Sequence, residues 1–251
     1  SLVVGQSYAL SFWAKHLTGE QNLYSRLSGN GIAGNTDLLS QSGQGTPGGE
    51  NSVRAENLPP LISSPSHLPQ EPSPDYPVLV SAKVRDDDEV SAVLLHFDSG
   101  EGYQTIPMHD DGDGGDAAAN DDIFSASIAP LSGGTLVRYK FSAEDNLGLT
   151  SESPEPGEPT PNYAYYVEPA PVVSNFPVYH LLISASNLQR LDSNPHSNDL
   201  VEGTFVHNGE VYDGIGVRYR GAWARSWPKK CWKFKFNKGH YFQDQRTLNL
   251  N

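Results

Sequence analysis

Cysteine, methionine and positive charge are scarce in this chain of 251 residues. Its single cysteine, Cys231, cannot close an intramolecular disulfide. No motif gives it the His and orienting group of a catalytic thiol, so its expected place is a packed strand position between Lys230 and Trp232. Lys and Arg total 17 against 30 Asp and Glu, for a formal net charge of -13. A field of that sign repels nucleic acid and anionic membrane, so neither is an expected partner, and an anionic ligand needs a local basic patch. No run of about 18 apolar residues is present, so no helical membrane span is expected. The opening SLVVGQSYALSFWAK lacks a charged region followed by an apolar core, lacks an initiator Met and reads as strand. The expectation is a piece cut from a longer precursor.

Glycine and proline, by contrast, number 24 and 19, and their clusters divide the chain into blocks. Residues 34–74 are dense in Gly, Ser, Asn and Pro and read as linker. SESPEPGEPTPN, from Ser151 to Asn162, reads as an exposed loop, and EPAPVV, from Glu168 to Val173, as a short hinge. Between the breaks the period is mostly two, which predicts a mainly β chain. In residues 1–33, Tyr8, Leu10 and Phe12 alternate with Ala9, Ser11 and Trp13 as a half-buried strand requires, and Asn22 to Leu27 makes a second strand. Trp13 and Tyr24 are either core aromatics or rings that stack on a sugar.

Residues 75–168 have the cadence of a β-sandwich. PVLVSAKVRD, VSAVLLHFDS, YQTIPMHD, DIFSASIAP, LVRYKFSAED and NYAYYVEP are six alternating or apolar runs parted by turn residues. Within this block HDDGDGGDAAANDD brings Asp110, Asp111, Asp113, Asp116, Asp121 and Asp122 into one loop. Closely spaced carboxylates with interleaved Gly suit calcium, which takes six to eight oxygens. The sequence is not an EF-hand, because the Gly offset and terminal Glu of that loop are missing. A solvated hairpin loop is the other reading, and a second acidic turn, Asp86 to Asp88, reads the same way.

Residues 169–251 begin with a short apolar run, Val178 to Ile183. A helix follows, capped by Ser184 or Ser186, carrying Leu188 and Leu191 and stopped by Asn194-Pro195. Asn208-Gly209 then predicts a hairpin between Thr204–His207 and Glu210–Tyr219. In CWKFKF, Trp232, Phe234 and Phe236 alternate with Lys233 and Lys235, giving an aromatic face and a cationic face. Nine of the 17 basic residues fall between Gly214 and Asn251, opposed only by Asp244. If GVRYRG pairs with CWKFKF, one sheet face becomes a basic platform suited to phosphate.

Three stretches resemble known families. GQSYALSFWAK is similar to a late strand of jelly-roll carbohydrate-binding modules of secreted bacterial proteins. The M-x-D-D-G loop from Met108, with Gly115-Asp116 and GTLVRYKFSAED from Gly134, resembles immunoglobulin-like and fibronectin-like modules of long bacterial surface proteins. The order FPVYHL, GTFVHNGEVY, GVRYRG, PKKCWKFKF and LNLN, from about Asn175 to Asn251, resembles the opening of the spore coat protein H family, the CotH-type atypical kinases. That resemblance implies the β-rich start of an α+β domain and transfer of the ATP γ-phosphate, with Mg or Mn, to hydroxyls of secreted or cell-surface proteins. The implied phosphate-holding cations are Arg220, Lys229, Lys230, Lys233 and Lys235. Ala222 and Ala224 stand where relatives often carry Ser or Asn. The family's catalytic carboxylates lie further along than Asn251, so no catalytic residue is expected here and this piece is expected to be inactive alone. The expected parent is extracellular or at the cell surface. The alternatives are a non-catalytic surface or adhesion protein, or a carbohydrate-binding one.

Overall fold

The computed structural model describes the backbone of Leu27–Gly29 and Ile32–Gly34 and, with side chains, residues 57–251 apart from Pro171 and Val173. The chain divides between Glu56 and Asn57. In the first part, β1 (Leu27–Gly29) and β2 (Ile32–Gly34) form an antiparallel pair. Trp13, Tyr24 and the strand expected around Tyr8 lie outside the described residues.

The second part is mainly β, with three antiparallel sheets. Two of them make the expected sandwich. One orders β3 (Leu61–Leu68), β4 (Val78–Arg85) and β7 (Ile123–Ile128). The other orders β10 (Tyr163–Tyr166), β8 (Leu136–Asp145), β5 (Val90–Asp98) and β6 (Gln104–Pro107), with β9 (Thr150–Ser153) also on β8. Alternation drives the arrangement. Val78, Val80, Ala82 and Val84 point inward from β4. They meet Val93, Leu95 and Phe97 of β5 and Val137, Tyr139, Phe141 and Ala143 of β8 in one buried cluster. All six expected strands are present.

Two strands fall where loops were expected. β3 lies inside the segment read as linker, and β9 begins the segment read as an exposed loop. Neither has an apolar stripe: Leu61 and Leu68 at the ends of β3 are both more than half exposed. β3 is held by its register with β4, broken between Ser63 and Ser66 where Ser64 takes φ 50° and Pro65 is tolerated. Backbone pairing on a sheet edge leaves no pattern in side chains, which is why composition alone suggested a linker.

The third sheet orders β11 (His180–Leu182), β12 (Val201–His207), β13 (Glu210–Tyr219), β14 (Trp232–Lys235) and β15 (Thr247–Leu250). The helix α1 (Ala185–Ser193) is capped by Ser184, whose hydroxyl accepts from Asn187 N at 3.2 Å, and it buries Leu191. Asn208 and Gly209 take φ 50° and 76°, the turn that the hairpin required. Phe205, Tyr212, Ile215, Val217, Tyr219, Phe234 and Phe236 share one buried face with Leu191. Cys231 is half-buried just before β14, its carbonyl accepting from Arg220 N.

The sandwich and the third sheet pack together across the segment read as a hinge. Tyr166 of β10 joins Val206 and Val211 in a small apolar cluster. Arg138 of β8 grips Asp213 of β13 through Nε at 2.6 Å and Nη2 at 2.9 Å. Asp213 sits at a bulge: Gly203 pairs with Ile215 but Phe205 with Tyr212, and Gly214 has φ 62°. The extra residue on β13 re-aims the carboxylate toward the sandwich.

Candidate functional site

The register of the third sheet settles where its cations go. Arg218 pairs with Lys233 and Lys233 with Asn249, while Gly216 pairs with Lys235 and Lys235 with Thr247. Directly paired residues share a face, and residues two apart along a strand do too. Arg218, Lys233 and Lys235 therefore stand on one face, with Thr247 and Asn249, opposite the aromatic face of Phe234 and Phe236. Arg220, one step past the end of β13, donates through Nη1 to Asn251 Oδ1 at 2.7 Å and extends the row. The pairing of GVRYRG with CWKFKF is thus present, and with it the single cationic face.

This is also the face on which the sandwich docks. Val206 pairs with Val211, and Glu202 with Gly216, so Val206 and Glu202 belong to the same side as Arg218. Tyr166 of the sandwich packs at the Val206 end of that face. Leu200 packs over Gly216, where a Cβ would lie 2.8 Å from Leu200 Cδ1 and push that side chain aside.

None of Arg218, Arg220, Lys233 and Lys235 is ion-paired among the described residues. Burial, then the neighbouring charges of Arg225 and Arg220, hold the Arg218 guanidinium below its ordinary range. Cations crowded on one face without ion pairs repel one another, and an anion relieves the repulsion.

The loop from Gly221 to Cys231 is braced rather than free. Arg225 is buried and donates to Gly221 O, His196 O, Ser197 O and Asn198 Oδ1 at 2.7–3.0 Å. Lys230 donates to Arg225 O and lies 4.9 Å from the centre of the Tyr219 ring. Tyr219 belongs to the apolar face, so Lys230 supports the loop and does not join Arg218 and Lys233. Lys229 is exposed on the same loop. Arg218, absent from the cations that the family resemblance singled out, stands at the centre of the row; its alternation with Arg220 in GVRYRG was the available signal.

The acidic loop is a second cluster. Carboxylate oxygens of Asp110, Asp116 and Asp121 lie within 4.8 Å of one another. Asp116 is buried and accepts from Gly112 N at 2.7 Å, and Asp110 accepts from the amides of Asp121 and Asp122 at 3.1 and 2.9 Å. Asp111 and Asp113 are not part of it: both are exposed and accept from nearby amides of their own turn. Asp122 pairs with Arg85 at 2.6 Å. The second acidic turn is closed by Asp88 N donating to Asp86 Oδ1. No described helix is long and apolar enough to cross a membrane. In comparisons with known proteins, no protein-family model matches this chain and no curated protein matches it.

Proposed function

We propose that the cationic face of the third sheet binds the phosphates of a nucleotide, as the first part of a CotH-like kinase domain in a secreted bacterial multidomain protein. The observation that carries this reading is the register that sets Arg218 against Lys233, with Lys235 and Arg220 beside them, none of the four ion-paired among the described residues. Lys and Arg alternating on paired strands supply several donors to one polyanion, which a neutral ligand would not need. In the parent protein the face would hold ATP with Mg or Mn for transfer to protein hydroxyls. The chain's contribution to that site is the cations.

Isothermal titration of the chain with ATP, with and without Mg, tests the binding. Saturable binding that Lys233→Ala/Lys235→Ala weakens by at least about tenfold, or about 1.4 kcal/mol, supports the reading. Equal binding by the variant, or none at millimolar ATP, leaves the non-catalytic surface protein in its place.

A second reading concerns calcium at Asp110, Asp116 and Asp121, favoured by the closeness of their oxygens. Binding to the folded state alone must raise the melting temperature. A rise with millimolar calcium that Asp116→Asn abolishes supports it, and an unchanged melting curve assigns the loop to turn formation.

A further inference from the structure

Between the sandwich and the third sheet lies a cleft of about 830 Å³, inside the span of roughly 300–1,000 Å³ usual for ligand sites. Its walls come from both layers. His67 and Gln70 stand at the end of β3, Thr160 and Asn162 come from the β9–β10 connection, Tyr163 begins β10, and Asn208 comes from the hairpin turn. The turn is seated tightly, since a Cβ on Gly209 would lie 2.8 Å from Gln70 O. With the Arg138–Asp213 pair beneath it, the cleft is built into the packing of the two layers.

Its charges are largely consumed internally. Arg138 holds Asp213, and His240 Nε2 lies 3.1 Å from Glu210 Oε1. What is left to a ligand is amide, hydroxyl and ring surface and the Glu202 carboxylate. His67 packs its ring against Tyr139 and Tyr165, with Nδ1 3.3 Å from the Tyr139 hydroxyl, and so shapes the wall.

We propose that this cleft binds a neutral, hydroxyl-rich ligand, an oligosaccharide. Amide side chains donate and accept at once, as sugar hydroxyls do, so Gln70, Asn162 and Asn208 match hydroxyl pairs that a charged ligand lacks. The Tyr163 ring offers the apolar face on which a pyranose packs. A phosphate-bearing ligand would meet Glu202 and Glu210 in the same walls. Its lining includes none of Arg218, Arg220, Lys233 and Lys235.

The test titrates the 251-residue chain calorimetrically with cellohexaose, xylohexaose, mannohexaose and N-acetylchitohexaose. The expected result is saturable binding of at least one of them. Asn162→Ala and Gln70→Ala, each with an unchanged melting curve, should weaken it by about tenfold. The Trp13→Ala/Tyr24→Ala variant should bind like the original. Absence of saturation with all four sugars at about 10 mM, a concentration far above useful affinity, overturns the proposal. So does binding that the Trp13/Tyr24 variant loses while the cleft variants retain it, or capture of a peptide ligand in the cleft with none of the sugars.

Discussion

Breaking the Arg138–Asp213 pair should uncouple the sandwich from the third sheet. Asp213 accepts both Arg138 nitrogens and the Thr204 hydroxyl, and its side chain is 16% exposed against 35% for Arg138. An exposed pair contributes about 0–1 kcal/mol, and removing one partner of a fully buried pair costs about 3–5 kcal/mol. The partial exposure of Arg138 places Asp213→Asn near 2 kcal/mol, between those limits. For a unit of this size that is a fall in melting temperature of roughly 4–8 °C. The assay is urea denaturation of the original chain, Asp213→Asn, Arg138→Met and the double variant, followed by two probes. Tryptophan emission reports the third sheet among the described residues, because Trp232 lies in it, Trp223 and Trp227 in its β13–β14 loop, and residues 57–170 contain none. Backbone circular dichroism reports both layers. The expected outcome is a coupling energy of at least about 1 kcal/mol in the double-mutant cycle and divergence of the two probes in the single variants. Strict additivity, with coincident transitions in every variant, would refute the reasoning and leave the Tyr166–Val206–Val211 contact as the joint between the layers.

The same pair sets a pH dependence. Burial pushes the Asp213 carboxyl up, but the hydrogen bonds from Arg138 and Thr204 outweigh it and hold it below the ordinary range. A depressed carboxyl contributes stability that is fully present above the unfolded value of about 3.9 and lost as pH falls through the folded value. The stability difference between the original chain and Asp213→Asn should therefore be constant near neutrality and shrink as pH drops below about 4; a difference that persists undiminished in acid contradicts the assignment. In the core of the third sheet, Phe205 is fully buried and its ring lies 5.2–6.1 Å from those of Tyr179, Tyr212, Phe234, Phe236 and Phe242. Phe205→Ala should cost about 3–5 kcal/mol by chemical denaturation, and a loss below about 1 kcal/mol would mean that the aromatic cluster is not the support of the cationic face.

Alternation of side chains determined most of the strands by itself. Val78 to Val84, Val137 to Ala143 and Trp232 to Phe236 each repeat every second residue, and a half-buried strand has no other way to place them. Asn208-Gly209 and Ser184 determined a turn and a helix start for equally local reasons, backbone conformation in one case and a capping hydroxyl in the other. The sequence also carried the alternation of Arg218, Arg220, Lys233 and Lys235, but whether these shared a face depended on register, which sequence spacing leaves free. Pairing of Arg218 with Lys233 decided it, and the same pairing excluded Lys230, whose place over Tyr219 follows from the loop's fold. β3 and β9 were hidden because edge pairing is made by backbone atoms that every residue has. The separation of Asp111 and Asp113 from Asp110, Asp116 and Asp121, the bulge that turns Asp213 toward Arg138, and the cleft around His67 were decided only by tertiary structure. Each depends on segments remote in sequence, or on backbone dihedrals, meeting within a few ångströms.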